Sequence, residues 1–176
     1  MADDFLSKLV KDWEWGNSGN PDVYHDVETR RNSLTFRGHM ARLIEKLINE
    51  EKLEKAEEIA DLAMQKMPVD IFGYYVYLEP FIGAYYETEA DDKARALYKE
   101  VVVKYQESLN YCSGVSDENK EKHIQSIYFD IERYKSLVDT ISIYEDEAFV
   151  KTEMEIFNGF LRLFTGEEEG QERPEE

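Results

Sequence analysis

Only Asn49, Glu50, Glu51 and Lys52 stand between two apolar stripes of helical spacing. Before them, Leu34, Met40, Leu43, Ile44, Leu47 and Ile48 recur at intervals typical of one helix face. After them come Leu53, Ala56, Ile59, Ala60, Ala63, Met64 and Met67. Apolar residues three and four apart mark the buried side of an α-helix. So short a link leaves the two helices no choice but to lie antiparallel. Asn32 or Ser33 is placed to cap the first helix by accepting a backbone N–H. Pro68 ends the second, because it lacks the N–H that would continue it.

The pattern then recurs. Residues 74–87 carry Tyr74, Tyr77, Leu78, Phe81, Ile82, Tyr85 and Tyr86, with Pro80 inside the run. A helix here either starts close to Pro80 or kinks at it. Thr88-Glu89-Ala90-Asp91 has the form of a capping box. The following helix holds Ala94, Leu97, Tyr98, Val101, Val102 and Tyr105 and extends toward Leu109. A third pair is expected from Ile124, Ile127, Tyr128, Ile131, Tyr134, Leu137, Val138 and Ile141, and then Phe149, Met154, Phe157, Phe160, Leu161 and Phe164. A break falls near Tyr144 to Asp146. Ahead of all this, Asp3 to Trp15 suggests a short helix with Phe5, Leu9 and Trp13 at spacings of four. Gly16 to Pro21 is a turn cluster, and Pro21 to Arg31 reads as an irregular lead-in. Trp13 and Trp15 are expected to anchor this segment on the first helix pair.

Ala56 and Ala94 lie 38 residues apart, and each opens a second helix after a tight turn. Helix-turn-helix units at such a period suggest a solenoid. The first unit resembles the tetratricopeptide pattern, with large apolar residues at Met40, Leu43 and Leu47, small ones at Ala56, Ala60 and Ala63, and a closing Pro68. The second keeps Leu78, Phe81, Tyr85 and Ala94, but has Tyr98, Val101 and Gln106 where the pattern has small residues and proline. The fold expected is all-α: about three antiparallel helix pairs in a tetratricopeptide-like right-handed stack over residues 32–166. Residues 1–31 form a lead-in packed on the first repeat, and residues 167–176 an acidic disordered tail. A generic helical bundle is the alternative.

Charge narrows the function. The 39 acidic residues outnumber 21 basic ones, for a net charge of −18. Phosphate binding requires clustered Lys and Arg, so nucleic acid is not an expected partner. Anionic lipid is disfavoured for the same reason. The single Cys112 excludes an intramolecular disulfide and paired-cysteine metal or redox motifs. No apolar run approaches the roughly 20 residues that span a bilayer, so membrane insertion by this chain is not expected. No signal peptide is visible at MADDFLSKLV.

No chemistry-bearing motif stands out. His25, Asp26 and Glu28 form the best metal-like cluster, but their spacing fits no metal motif, and capping or solvation is the better reading. His39 and His123 stand alone. Paired acids such as Glu57-Glu58 and Asp91-Asp92 follow from composition. There is no phosphate-binding glycine loop, nucleophile elbow or EF-hand. The chain is therefore not expected to be an enzyme by itself, and it implies no cofactor or metal. Tyr74, Tyr75, Tyr77, Tyr85 and Tyr86 invite a sugar-stacking reading, against the plainer one that aromatics fill helix interfaces. Arg30, Arg31, Arg37 and Arg42 make a local basic patch, expected to pair with the protein's own carboxylates.

Repeats of the tetratricopeptide kind bind peptides on the concave face of their first helices. That face would carry Gly38, Ala41, Glu45, Ile48 and Asn49 in the first unit. In the second it would carry Val76, Glu79, Gly83, Tyr86 and Glu87. The Lys and Asn clamp some members use for a terminal carboxylate is missing. Like-charge repulsion from Glu45, Glu79 and Glu87 favours a basic or neutral segment instead.

One further resemblance covers roughly residues 10–105. It rests on Trp15-Gly16, Pro21-Asp22-Val23-Tyr24 with Asp26, Arg30 or Arg31, Phe36-Arg37, Ala41-Arg42-Leu43 and Leu47-Ile48. It continues with Glu54-Lys55-Ala56, Asp61, Met67-Pro68 and Ala84-Tyr85-Tyr86. In order and spacing these resemble the soluble C-terminal region of multi-spanning membrane proteins of Bacteroidota that are similar to C-type glycosyltransferases, protein O-mannosyltransferase-like enzymes among them. Glu51 departs from the family, which has Gly in the first inter-helix turn. The resemblance implies a longer native protein, with a transmembrane catalytic part upstream using a lipid-linked sugar donor. No catalytic residue carries over to this chain. The expected role is a non-catalytic protein–protein interaction or scaffolding module, more on the periplasmic side. The alternatives are a free-standing, cytoplasmic peptide-binding scaffold and a sugar-binding accessory domain.

Overall fold

The computed structural model describes residue 8, residues 10–73 and residues 75–165. Phe5, Leu9, Tyr74 and the acidic tail fall outside the described residues. Among those described, the regular structure is all helix, with no strand. From residue 27 on, the α-helices are, in order, α1 Val27–Asn49, α2 Leu53–Lys66, α3 Val69–Phe72, α4 Glu79–Glu87, α5 Asp91–Ser113, α6 Asp117–Tyr144 and α7 Glu147–Thr165. The chain divides into two compact units, Met1–Val101 and Val102–Glu176.

In the first unit α1 starts at Val27, inside the stretch expected to be irregular. Asp26 is the cap, not Asn32 or Ser33. Its extended backbone (φ −66°, ψ 170°) lets the carboxylate accept the Thr29 N–H at 2.7 Å. An acid suits this place because the first-turn amides carry partial positive charge. That hydrogen bond holds the Asp26 carboxyl below its ordinary pKa. Ser33 instead points inward, its hydroxyl donating to the Arg30 carbonyl at 2.6 Å.

The link between α1 and α2 is closed by the backbone itself. Glu51 is left-handed (φ 57°). Its N–H reaches the Ile48 carbonyl at 2.9 Å, and the Lys52 N–H reaches that of Leu47 at 2.8 Å. These two bonds satisfy orphan carbonyls at the helix end, as in a Schellman motif. The α4–α5 turn repeats the arrangement. Glu89 is left-handed (φ 61°), its N–H meets Tyr86 at 3.0 Å, and the Ala90 N–H meets Tyr85 at 2.8 Å. Every group is displaced by 38 residues. Burial follows the same shift: Met40 and Leu78, Ile44 and Ile82, Ala56 and Ala94, Ala60 and Tyr98, and Ala63 and Val101 are all inaccessible or nearly so. Thr88 therefore ends α4 and does not cap α5; its hydroxyl donates to the Tyr85 carbonyl at 3.1 Å.

The two hairpins differ in their first helices. α1 has 23 residues and α4 only nine. Left-handed Gly73 (φ 63°) closes α3. A 3-10 turn, Tyr75–Tyr77, follows, and Pro80 sits in the first turn of α4, where its missing N–H costs nothing. α4 packs against both α1 and α2. Lys93 of α5 adds a polar tie to α2, reaching Asp61 at 2.6 Å and Glu57 at 2.8 Å, while the Tyr85 hydroxyl donates to Asp61 at 3.0 Å.

Arg37 holds the middle of this unit. It is wholly buried, not part of a surface patch. Its guanidinium donates to the Met67 carbonyl at 2.6 Å and to the Gly73 carbonyl at 2.8 Å. Both acceptors stand at helix C-termini, where cations are favoured. Burial pulls its pKa down to about 10, opposed by the Glu100 charge, so it is charged at neutral pH. The other arginines are dispersed: Arg31 lies 4.0 Å from Glu28.

The N-terminal segment lies along the same unit. Lys8, Val10 and Lys11 are helical, and Lys11 pairs with Glu58 of α2. Trp13 and Trp15 pack on Phe36 of α1, with ring centroids 5.4 and 6.0 Å away. Gly19 passes so close to α2 that a Cβ there would collide with the Gln65 carbonyl oxygen.

In the second unit α6 and α7 form a hairpin across Glu145 and Asp146. Asp146 caps α7 by accepting the Phe149 N–H at 2.9 Å. Tyr134 is the centre of this unit. Its ring meets Phe157 edge-on at 5.1 Å and lies parallel to Tyr105 at 6.4 Å. Gln106 donates to its hydroxyl at 2.8 Å.

Candidate functional site

The first unit carries a groove of about 540 Å³ between α1 and α4. Its α1 side is Ala41, Ile44, Glu45, Ile48 and Asn49, with Arg42 beside them. Residues 41, 44, 45 and 48 share one helix face by their three- and four-residue spacing. The α4 side is Pro80, Ala84 and Glu87, again at spacings of four and three. Alanine, isoleucine and proline make an apolar floor. Glu45 and Glu87 are exposed carboxylates on the rim, set against the single guanidinium of Arg42.

Of the residues expected to face a partner, five come together here: Ala41, Glu45, Ile48, Asn49 and Glu87. The other five do not line the groove. Gly38 lies on α1, half-buried, with open space beside its Cα. Val76 is in the 3-10 turn, and Glu79 is the first residue of α4. Gly83 also faces open space, and Tyr86 is buried in the core. On α4 the groove face is Pro80, Ala84 and Glu87, so of the expected residues on this helix Glu87 lies on it and Glu79, Gly83 and Tyr86 do not; Tyr86 turns inward beside Tyr85. The sequence signal was available, since Pro80, Ala84 and Glu87 are themselves at helical spacing.

The cluster His25, Asp26 and Glu28 separates into structural roles. His25 Nε2 lies 3.0 Å from the Ser18 carbonyl, and its ring sits tilted at 34° against Phe72, centroids 4.8 Å apart. Asp26 caps α1 and Glu28 faces Arg31. Among the described residues no group of three or more His, Cys, Asp or Glu side chains could hold a metal ion. The tyrosines also divide. Tyr85 and Tyr86 are buried, while Tyr77 is half exposed in the 3-10 turn. Burial, aided by the Asp61 carboxylate, pushes the Tyr85 hydroxyl far above its ordinary pKa, so it stays a neutral donor to Asp61.

No helix among the described residues is long and apolar enough to cross a membrane. No protein-family model matches the chain, and neither a curated protein nor a solved structure matches it.

Proposed function

We propose that this chain is a non-catalytic interaction module whose α1–α4 groove holds an extended or helical segment of another protein. The observation that carries the reading is the groove's composition, an apolar floor under two rim carboxylates. Such a floor takes apolar side chains, and the rim selects a basic or neutral segment over an acidic one. The 38-residue repetition of turn geometry and burial supports a tetratricopeptide-like arrangement, in which first helices carry the binding face. By its resemblance to tails of glycosyltransferase-like membrane proteins, the module serves a larger membrane enzyme. There it positions a protein substrate or an envelope partner.

Two measurements test this. Labelled peptides with an apolar residue at every third or fourth position, in lysine-bearing and glutamate-bearing versions, are titrated by fluorescence anisotropy. The lysine version is expected to bind at least about tenfold tighter at low salt, and to lose that margin in Glu45→Lys/Glu87→Lys. Equal binding of both versions would overturn the groove reading. For the membrane link, an antibody to this domain is used on fractionated source cells. A large membrane-bound band is expected, and a soluble band near 20.7 kDa would sink that part.

A further inference from the structure

A second cavity of the first unit lies where the N-terminal segment meets α1, and it is built differently from the groove. Three aromatic rings form its wall. The Trp13 and Trp15 centroids are 5.5 Å apart at 52°. Each in turn meets Phe36, Trp13 at 5.4 Å and 73°, Trp15 at 6.0 Å and 60°. None of the three is fully covered, and Phe36 is 39% exposed. A cluster that served only as core would be sealed. These rings instead border a cavity of about 470 Å³, within the range of small-molecule sites, roughly 300–1,000 Å³.

The other lining groups set its chemistry. Glu14, between the two tryptophans, is exposed and is the only ionisable side chain of the lining among the described residues. Asn32 and Ser18 bring neutral polar groups.

Aromatic faces carry negative potential and attract cations, most of all those whose shell is hydrocarbon and so lightly hydrated. A carboxylate at the rim adds to that attraction, and so does a chain of net charge −18. We propose that the Trp13–Trp15–Phe36 cup, with Glu14 at its rim, is a binding site for an alkylated ammonium group. Two sources share this chemistry: a free choline-like molecule, and a methylated lysine side chain on a peptide.

The full chain has only these two tryptophans, so its tryptophan emission reads the site directly. Choline chloride is titrated against its uncharged carbon isostere, in which a tert-butyl group replaces the trimethylammonium. Choline is expected to shift the emission saturably, and the isostere to bind at least about tenfold more weakly. Glu14→Gln, an exposed change that leaves the far-UV circular dichroism unaltered, is expected to weaken choline several-fold. Trp15→Ala is expected to abolish binding. A peptide with trimethyllysine is compared with its unmodified twin. Tighter binding of that peptide than of choline names the methylated side chain as the source, and the reverse names the small molecule. Equal binding of choline and the isostere would overturn the proposal and leave an apolar cleft. So would a saturable response to methyl glucoside with none to choline, which would make this a carbohydrate subsite. No response to choline or to the trimethyllysine peptide up to about 100 mM would also overturn it.

Discussion

The two units use the same helical spacing of apolar residues and obtain different burial from it. In the first, α4 buries Phe81, Ile82, Ala84, Tyr85 and Tyr86 from nine residues. In the second, α7 buries only Phe157 from 19. Ile124 and Tyr128 belong to the apolar stripe of α6 yet are 63% and 58% exposed. The reason is geometric. α1, α2 and α4 each contact the other two, so an apolar face meets side chains along its whole width. In the second unit α6 meets α7 along one strip and the end of α5 at Tyr134, and Ile124 and Tyr128 lie outside both contacts. Spacing announces which side of a helix wants cover; it does not say how much cover arrives.

Removing the buried cation attacks the better-covered unit at its centre. Arg37→Ala strips donors from the Met67 and Gly73 carbonyls and leaves a hole, at a cost of about 3–5 kcal/mol. Arg37→Lys should recover only part of this, since an ammonium cannot fork to two carbonyls as a guanidinium does. Urea unfolding followed by tryptophan emission, which reports the first unit alone, and by circular dichroism, which reports both, checks it. Parallel loss in both signals would mean that the two units unfold together. A loss confined to emission would set them apart.

Phe157→Ala is the matching cut in the second unit. It removes the edge-on partner of Tyr134 and should cost about 3 kcal/mol. The same pair of probes reads it, and a larger drop by dichroism than by emission is expected if the units are uncoupled.

Glu51→Gly and Glu89→Gly should each raise stability by about 1 kcal/mol, because glycine takes the left-handed conformation without the Cβ penalty. Equal gains at both would strengthen the 38-residue correspondence, and unequal ones would weaken it. Smaller still is the Lys93 tie. Its hydrogen bonds to Asp61 and Glu57 raise its pKa above the ordinary 10.5. The bonus is complete below that ordinary value and fades as pH climbs through the raised one. Thermal melts above about pH 10 should therefore fall more steeply for the native chain than for Lys93→Met. Ile143, 73% exposed, supplies the control: Ile143→Ser should change stability by no more than about 0.5 kcal/mol.

The hairpins were legible because their links are short and their apolar residues periodic. The break at Glu145 and Asp146 was legible for the same reason. The start of α1 was not. Asp26 reads as a capping or solvated acid, but the apolar spacing starts the helix it caps at Asn32 or Ser33. Arg37 was misread as surface because arginine seldom lies buried. Its position said otherwise, since Ser33, Arg37, Met40 and Ile44 fall on one helix face and all are buried. Half of the groove could be placed from helical spacing. The rest depended on how far α4 is rotated, which the turn and the 3-10 segment before it decide. That Trp13 and Trp15 anchor the N-terminal segment was legible; that they meet at Phe36 of α1 and leave a cavity beside them was not, because the segment has no periodicity to fix its course.

The two glutamates at left-handed angles show how little such a turn depends on its letters. Read letter by letter, Glu50-Glu51-Lys52 and Thr88-Glu89-Ala90 share only the central residue. Read as torsion angles they are one turn written twice, with cap residues at φ −95°, ψ 9° and φ −97°, ψ 10°. A helix end that must satisfy its last carbonyls has few ways to do so, and two links of different letters settle into the same torsion angles because the hydrogen bonds, not the side chains, choose them.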